Sequence, residues 1–106
     1  MHPSLITLQI QQKEAFTHVL IQGDLTIYAA TELNGLLGDV IKQHDQLEID
    51  LSQVQEVDSA GLQVLFFIQT EATRQQKSVI YSHLPEEMTS LLQLYNLTEK
   101  FNTKKQ

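Results

Sequence analysis

Ser59 stands between Asp58 and Ala60-Gly61-Leu62, just after a strand-like run and a mostly polar connector. A serine hydroxyl at such a place has three chemical uses. As a nucleophile it needs an adjacent base, and the Gly-x-Ser-x-Gly elbow of serine hydrolases is absent. As a helix cap, either Asp58 or Ser59 can accept hydrogen bonds from the first free backbone N–H groups. As a modification site, it lies where a helix start favours a phosphate, and a serine carries one covalently. Gly61 falls in the first helical turn, where a missing side chain permits close approach of another chain.

Other chemistries find little support. There is no cysteine, which removes thiol catalysis, zinc–thiolate sites and disulfides, and fits a reducing cytoplasm. His2, His18, His44 and His83 lack metal-ligand spacing, so no metal site is expected. The phosphate-cradling Gly-x-x-x-x-Gly-Lys-Ser/Thr run is missing, so neither ATPase activity nor a cofactor is expected. The formal net charge of −6 disfavours nucleic acid and anionic lipid surfaces. The longest apolar run, Val64-Leu65-Phe66-Phe67-Ile68, is too short to span a bilayer, and Met1-His2-Pro3-Ser4 does not read as a signal peptide. No direct membrane insertion is expected.

The elements that must position Ser59 follow from periodicity. The 106 residues are expected to form one domain over 1–106; they are 42% hydrophobic and 19% charged, a globular balance. Residues 5–11 and 16–22 read as strands, the second ending at Gly23-Asp24. Leu33, Leu36, Leu37 and Val40 give residues 29–43 a helical stripe. Residues 47–51 read as a strand, 52–57 as a connector, 60–75 as a helix and 78–82 as a strand. Pro85 suits the first position of a last helix, with Glu86 and Glu87 in its first turn and Met88, Leu91, Leu92 and Tyr95 as its stripe. In helix 60–75, Leu62, Leu65, Phe66 and Gln69 share one face. Ala60, Val64, Phe67 and Glu71 fall opposite, either packed on a neighbouring helix or forming a partner patch beside Ser59. The tail 102–106 is polar and expected to fray. The order β-β-α-β-α-β-α implies an α/β fold: a mixed sheet of four or five strands with helices mainly on one side.

Residues 50–62, Asp-Leu-Ser-x-Val-x-x-Val-Asp-Ser-Ala-Gly-Leu, resemble the signature of STAS (sulfate transporter and anti-sigma antagonist) domains. Gly23-Asp24-Leu25 followed by Thr31-Glu32-Leu33 resembles the family's entry to its first helix, and 91–97 with Phe101 its last helix and tail. The resemblance covers roughly residues 5–101 and implies the STAS fold. It also implies that Ser59 is a phosphorylation site and that the protein is a non-enzymatic, bacterial, cytoplasmic binding module. Its partner would be a serine kinase that is also an anti-sigma factor, or a related signalling kinase, bound by the unphosphorylated form. A phosphate beside Asp58 would then release the partner through local charge and bulk, repelling any acidic surface docked there. Thr26 stands where many antagonists carry aspartate, and Gly-Asp-Leu-Thr-Ile-Tyr resembles members linked to chemotaxis. Other STAS domains serve as the small cytoplasmic subunit of a lipid-trafficking ABC transporter, where the same helix start contacts the ATPase. The expected partner surface centres on residues 58–62 and includes the 23–28 loop, because both segments follow a strand and lead into a helix and can emerge at one edge of a sheet with parallel neighbours; it comprises Asp24, Thr26, Tyr28, Asp58, Ser59, Ala60, Gly61, Leu62 and Phe67.

Overall fold

The computed structural model describes residues 3–104. In chain order the elements are β1 (Thr7–Gln12), β2 (Thr17–Gln22), α1 (Ala30–Gln43), β3 (Gln46–Gln53), α2 (Ser59–Arg74), β4 (Ser78–Ser82) and α3 (Glu86–Leu94), then a 3₁₀ turn at Thr98–Lys100. The sheet order is β1-β2-β3-β4. β1 is antiparallel to β2, while β2, β3 and β4 run parallel. A tight turn joins the antiparallel pair, whereas each parallel step requires a crossover, here α1 and then α2.

Alternation in β2 explains the one-sided helical cover. Thr17, Val19 and Ile21 are buried, and the intervening His18, Leu20 and Gln22 are only half-buried. Leu47, Ile49 and Leu51 extend the apolar face across β3. Leu33, Leu37 and Ile41 of α1 and Leu65, Ile68 and Ala72 of α2 complete this core, joined by Met88 and Leu92 of α3. On the opposite face of β3, two carboxylates are paired rather than left bare: Asp50 with His18 Nε2 at 2.9 Å and Glu48 with Lys104 Nζ at 3.1 Å.

Four strands and three helices match the expected architecture, with differences at the margins. Tyr81 pairs with Thr103 in parallel, Tyr81 N–H donating to Asn102 at 2.9 Å and Lys104 N–H to Tyr81 at 2.8 Å. Residues 102–104 are therefore held against β4 and do not fray; Lys105 and Gln106, like Met1 and His2, lie outside the described residues. β3 continues through Ser52 and Gln53, assigned above to the connector, because pairing resumes at Gln22–Gln53 after a register shift. Pro85 is the extended N-cap of α3 (ψ 154°), not its first helical residue. The buried stripe of α2 is Leu62, Leu65, Ile68 and Ala72. Phe66, expected on that face, is 38% exposed and packs its ring on Phe101 at 5.5 Å.

Candidate functional site

Two strand-to-helix connections meet beyond the carboxyl ends of β2 and β3. Leu25 and Val57 form a parallel bridge. Leu25 N–H donates to the Glu56 carbonyl at 2.8 Å, and Asp58 N–H donates to the Leu25 carbonyl at 3.0 Å. Side chains add to this seam. The Asp24 carboxylate accepts from Glu56 N–H at 3.1 Å, and Asp58 Oδ2 accepts from Ile27 N–H at 2.9 Å. The 23–28 loop and the 56–62 segment thus form one surface, as parallel neighbours permit.

Asp58 is the N-cap of α2, its Oδ1 accepting from Gly61 N–H at 3.0 Å. Ser59 is the first helical residue and is exposed. Among the described residues no side-chain hydrogen bond involves its hydroxyl, so neither capping nor activation by a base occupies it. Burial opposes ionisation of Asp58, but the N–H groups of Gly61, Ile27 and Ala60 outweigh it and hold the carboxyl below the usual carboxylate range.

Two residues expected on the partner surface are buried instead. Leu62 belongs to the core, and a Cβ on Gly61 would lie 2.0 Å from the Leu25 carbonyl oxygen. The close approach that Gly61 permits is therefore internal: it seats α2 on the loop after β2. Gly23 serves the same seam at φ 124°, where a Cβ would meet the Leu5 carbonyl oxygen at 2.3 Å.

Tyr28 at 86%, Ile27 at 66% and Phe67 at 51% are exposed around Ser59, with Ala60 and Thr26 half-buried and Asp24 exposed. Phe67 does not pack as core. It borders two hollows. One, of about 400 Å³, lies between α1 and α2 beside Ala60 and Val64. The other, of about 290 Å³, is lined by Leu62, Gln63, Phe66, Phe67, Thr70, Leu97 and Phe101. Phe66 was missed by sequence reasoning, and Ile27, within the 23–28 loop expected on this surface, was not singled out. A large aliphatic in the turn-like Gly-Asp-Leu-Thr-Ile-Tyr was the available signal for Ile27; for Phe66, helical periodicity pointed the wrong way.

The charged side chains nearest Ser59 are carboxylates. Asp24, Glu56, Asp58, Glu86 and Glu87 lie at the Ser59 end, with Glu87 accepting from Val57 N–H at 3.0 Å. Lys13, Lys42, Arg74 and Lys77 lie at the opposite end, where β2, β3 and β4 begin, together with Glu14, Asp45 and Glu71, the last two paired with Lys77 and Arg74. A phosphate on Ser59 would add to a surface whose nearby charges are already negative. Among the described residues no group of three or more histidines, aspartates or glutamates could hold a metal ion, and no helix is long and apolar enough to cross a membrane.

A family model described as "Mlab, STAS domain" matches residues 8–102. The chain belongs to the STAS family. Solved structures agree on the STAS fold. An anti-sigma factor antagonist from Mycobacterium paratuberculosis superposes with a TM-score of 0.75 at 20% identity, covering 99% of this chain and 90% of that one. The antagonist SpoIIAA in its unphosphorylated form gives 0.69 at 13% identity, covering 94% and 90%. The phosphorylated form of the Bacillus cell fate determinant SpoIIAA gives 0.64 at 15% identity, covering 94% and 93%. Asp58, Ser59 and Gly61, within the stretch that resembles the STAS signature, sit on the bridged seam between the two strand-end connections.

Proposed function

We propose that this STAS domain is a cytoplasmic, non-enzymatic adaptor that binds a signalling protein and is switched by phosphorylation at Ser59. The partner class is a serine kinase acting as anti-sigma factor, or a related signalling kinase. The observation that carries the reading is the division of labour at the start of α2: Asp58 caps the helix and leaves the Ser59 hydroxyl exposed. A protein of the same fold, SpoIIAA, occurs in phosphorylated and unphosphorylated forms, which supports a phosphate being accommodated without loss of the fold.

The phosphate acts here by local charge, bulk and desolvation. It brings about −1.5 to −2 charges at neutral pH. The nearest carboxylates belong to Asp58 and its neighbours, and the lysines and arginine named above lie at the far end, so the dianion stays hydrated. A partner docking onto the neighbouring apolar patch of Ile27, Tyr28 and Phe67 would strip that water. The positive end of α2 stabilises the group within the domain.

The test uses Ser59→Ala and Ser59→Asp with the kinase that co-purifies with the chain. Ser59→Ala is expected to bind like the parent but to resist release by the kinase and ATP. Ser59→Asp is expected to bind at least tenfold more weakly, about 1.4 kcal/mol. Both should melt close to the parent, since the cap is Asp58. If the kinase leaves Ser59 unmodified and Ser59→Asp binds as tightly as the parent, the switch is wrong. Recovery of an ABC ATPase with its permease instead of a kinase would move the domain to the transport reading. Phe67→Ser is a second test of the surface: exposure predicts less than about 1 kcal/mol of lost stability together with weakened binding. Unchanged partner affinity would remove Phe67 from the interface.

A further inference from the structure

We propose that the chain self-associates weakly through β1, which pairs antiparallel with β1 of a second copy and joins two four-stranded sheets into one of eight strands. The two edges of the sheet differ. The β4 edge is occupied by residues 102–104. The β1 edge has no partner among the described residues, so alternate N–H and C=O groups of Thr7–Gln12 face outward.

This edge also lacks the usual guards against pairing. From Leu5 to Gln12 there is no charged residue, proline or glycine. β1 and β2 pair through six consecutive positions without a bulge. In a chain of net charge −6, general repulsion should keep copies apart, yet this strip is neutral, so the paired strands themselves bring no like charges together. A two-fold axis makes such a strand self-complementary.

Apolar surface beside the edge favours the same occupant. Ile10 is 49% exposed on β1. With Ile6, Leu8, Leu36 and Val40 it lines a hollow of about 430 Å³ between β1 and α1. Antiparallel pairing sets the hollows of the two copies side by side. Asp39 at the rim of each hollow opposes its counterpart, and six-residue strands bury little area, so the dimer is weak. Interfaces below about 1,200 Å² belong to the transient class.

Sedimentation velocity from about 10 µM to about 1 mM, the range in which such small interfaces exchange, tests this. The parent is expected to shift from monomer to dimer across that range. Ile10→Lys and Gln9→Lys place a charge on either face of the edge and are each expected to weaken the dimer at least tenfold without changing the melting temperature. Hydrogen exchange on the parent is expected to show alternate amides of Thr7–Gln12 slowing as concentration rises. A parent that stays monomeric at the highest concentration overturns the proposal. So does a dimer in which those amides gain no protection, or one that both lysine variants leave intact. None of these outcomes bears on Ser59.

Discussion

Gly61→Ala is expected to destabilise the domain by about 3 kcal/mol, the upper end of overpacking costs. For a domain of this size that lowers the melting temperature by roughly 12–20 °C. The new Cβ would lie 2.0 Å from the Leu25 carbonyl oxygen and 2.6 Å from its carbonyl carbon. Both are backbone atoms, and no rotamer change clears them. Leu25 is tied on either side, to Glu56 and to Asp58. Relief therefore requires moving α2 away from the loop, which pulls apart the Leu25–Val57 bridge and with it the two halves of the partner surface. Gly35→Ala and Gly38→Ala serve as controls on α1. A Cβ there meets nothing within 4 Å, so each is expected to gain up to about 1 kcal/mol from helix propensity. Urea unfolding of the three variants decides the point: a loss below about 1 kcal/mol in Gly61→Ala would mean the seam yields easily.

Asp58→Ala is expected to cost about 2 kcal/mol at neutral pH. A lost N-cap accounts for about 1 kcal/mol, and the stranded N–H of Ile27 for a comparable further share. The sign of the pH dependence follows from the lowered carboxyl pKa. A group whose folded pKa lies below its ordinary value of 3.8 contributes stability above that value and loses it as the pH falls through the folded value. The stability difference between parent and Asp58→Ala should accordingly shrink as the pH falls below 3.8. Denaturant unfolding at neutral pH and near about pH 3, where the ordinary carboxylate is mostly protonated, reads this directly. A difference that stays constant with pH would show that the charge of Asp58 is not what the three N–H groups hold.

These two variants also separate position from chemistry. Both act on the seam that carries Ser59, and neither touches its hydroxyl. Reduced partner binding in either should follow reduced stability, whereas the Ser59 variants should alter binding at constant stability.

The order of elements was readable because it depends on neighbours within a few residues. The stripe of Leu33, Leu37 and Val40 needs only the pitch of a helix, and the alternation of Val19 and Ile21 only the pleat of a strand. The motif around Ser59 announced itself in the same local way, and the parallel order of β2 and β3 allowed the 23–28 loop to be placed beside it. Local pattern could not decide between Asp58 and Ser59 as the cap, since both types cap well. The structure gives the cap to Asp58, whose Oδ1 accepts from Gly61 N–H while Ile27 N–H, from another connection, holds its Oδ2. Nor could periodicity rank Phe66 against Phe67. Exposure of both depends on where α1 and the segment ending in Phe101 lie on either side of α2. Gly61 makes the distinction plainest. That one position in the first turn of α2 carries no side chain is plain from the residue type. That this space belongs to the Leu25 backbone is a property of the fold, because sheet register, set by the whole core, brings that carbonyl there.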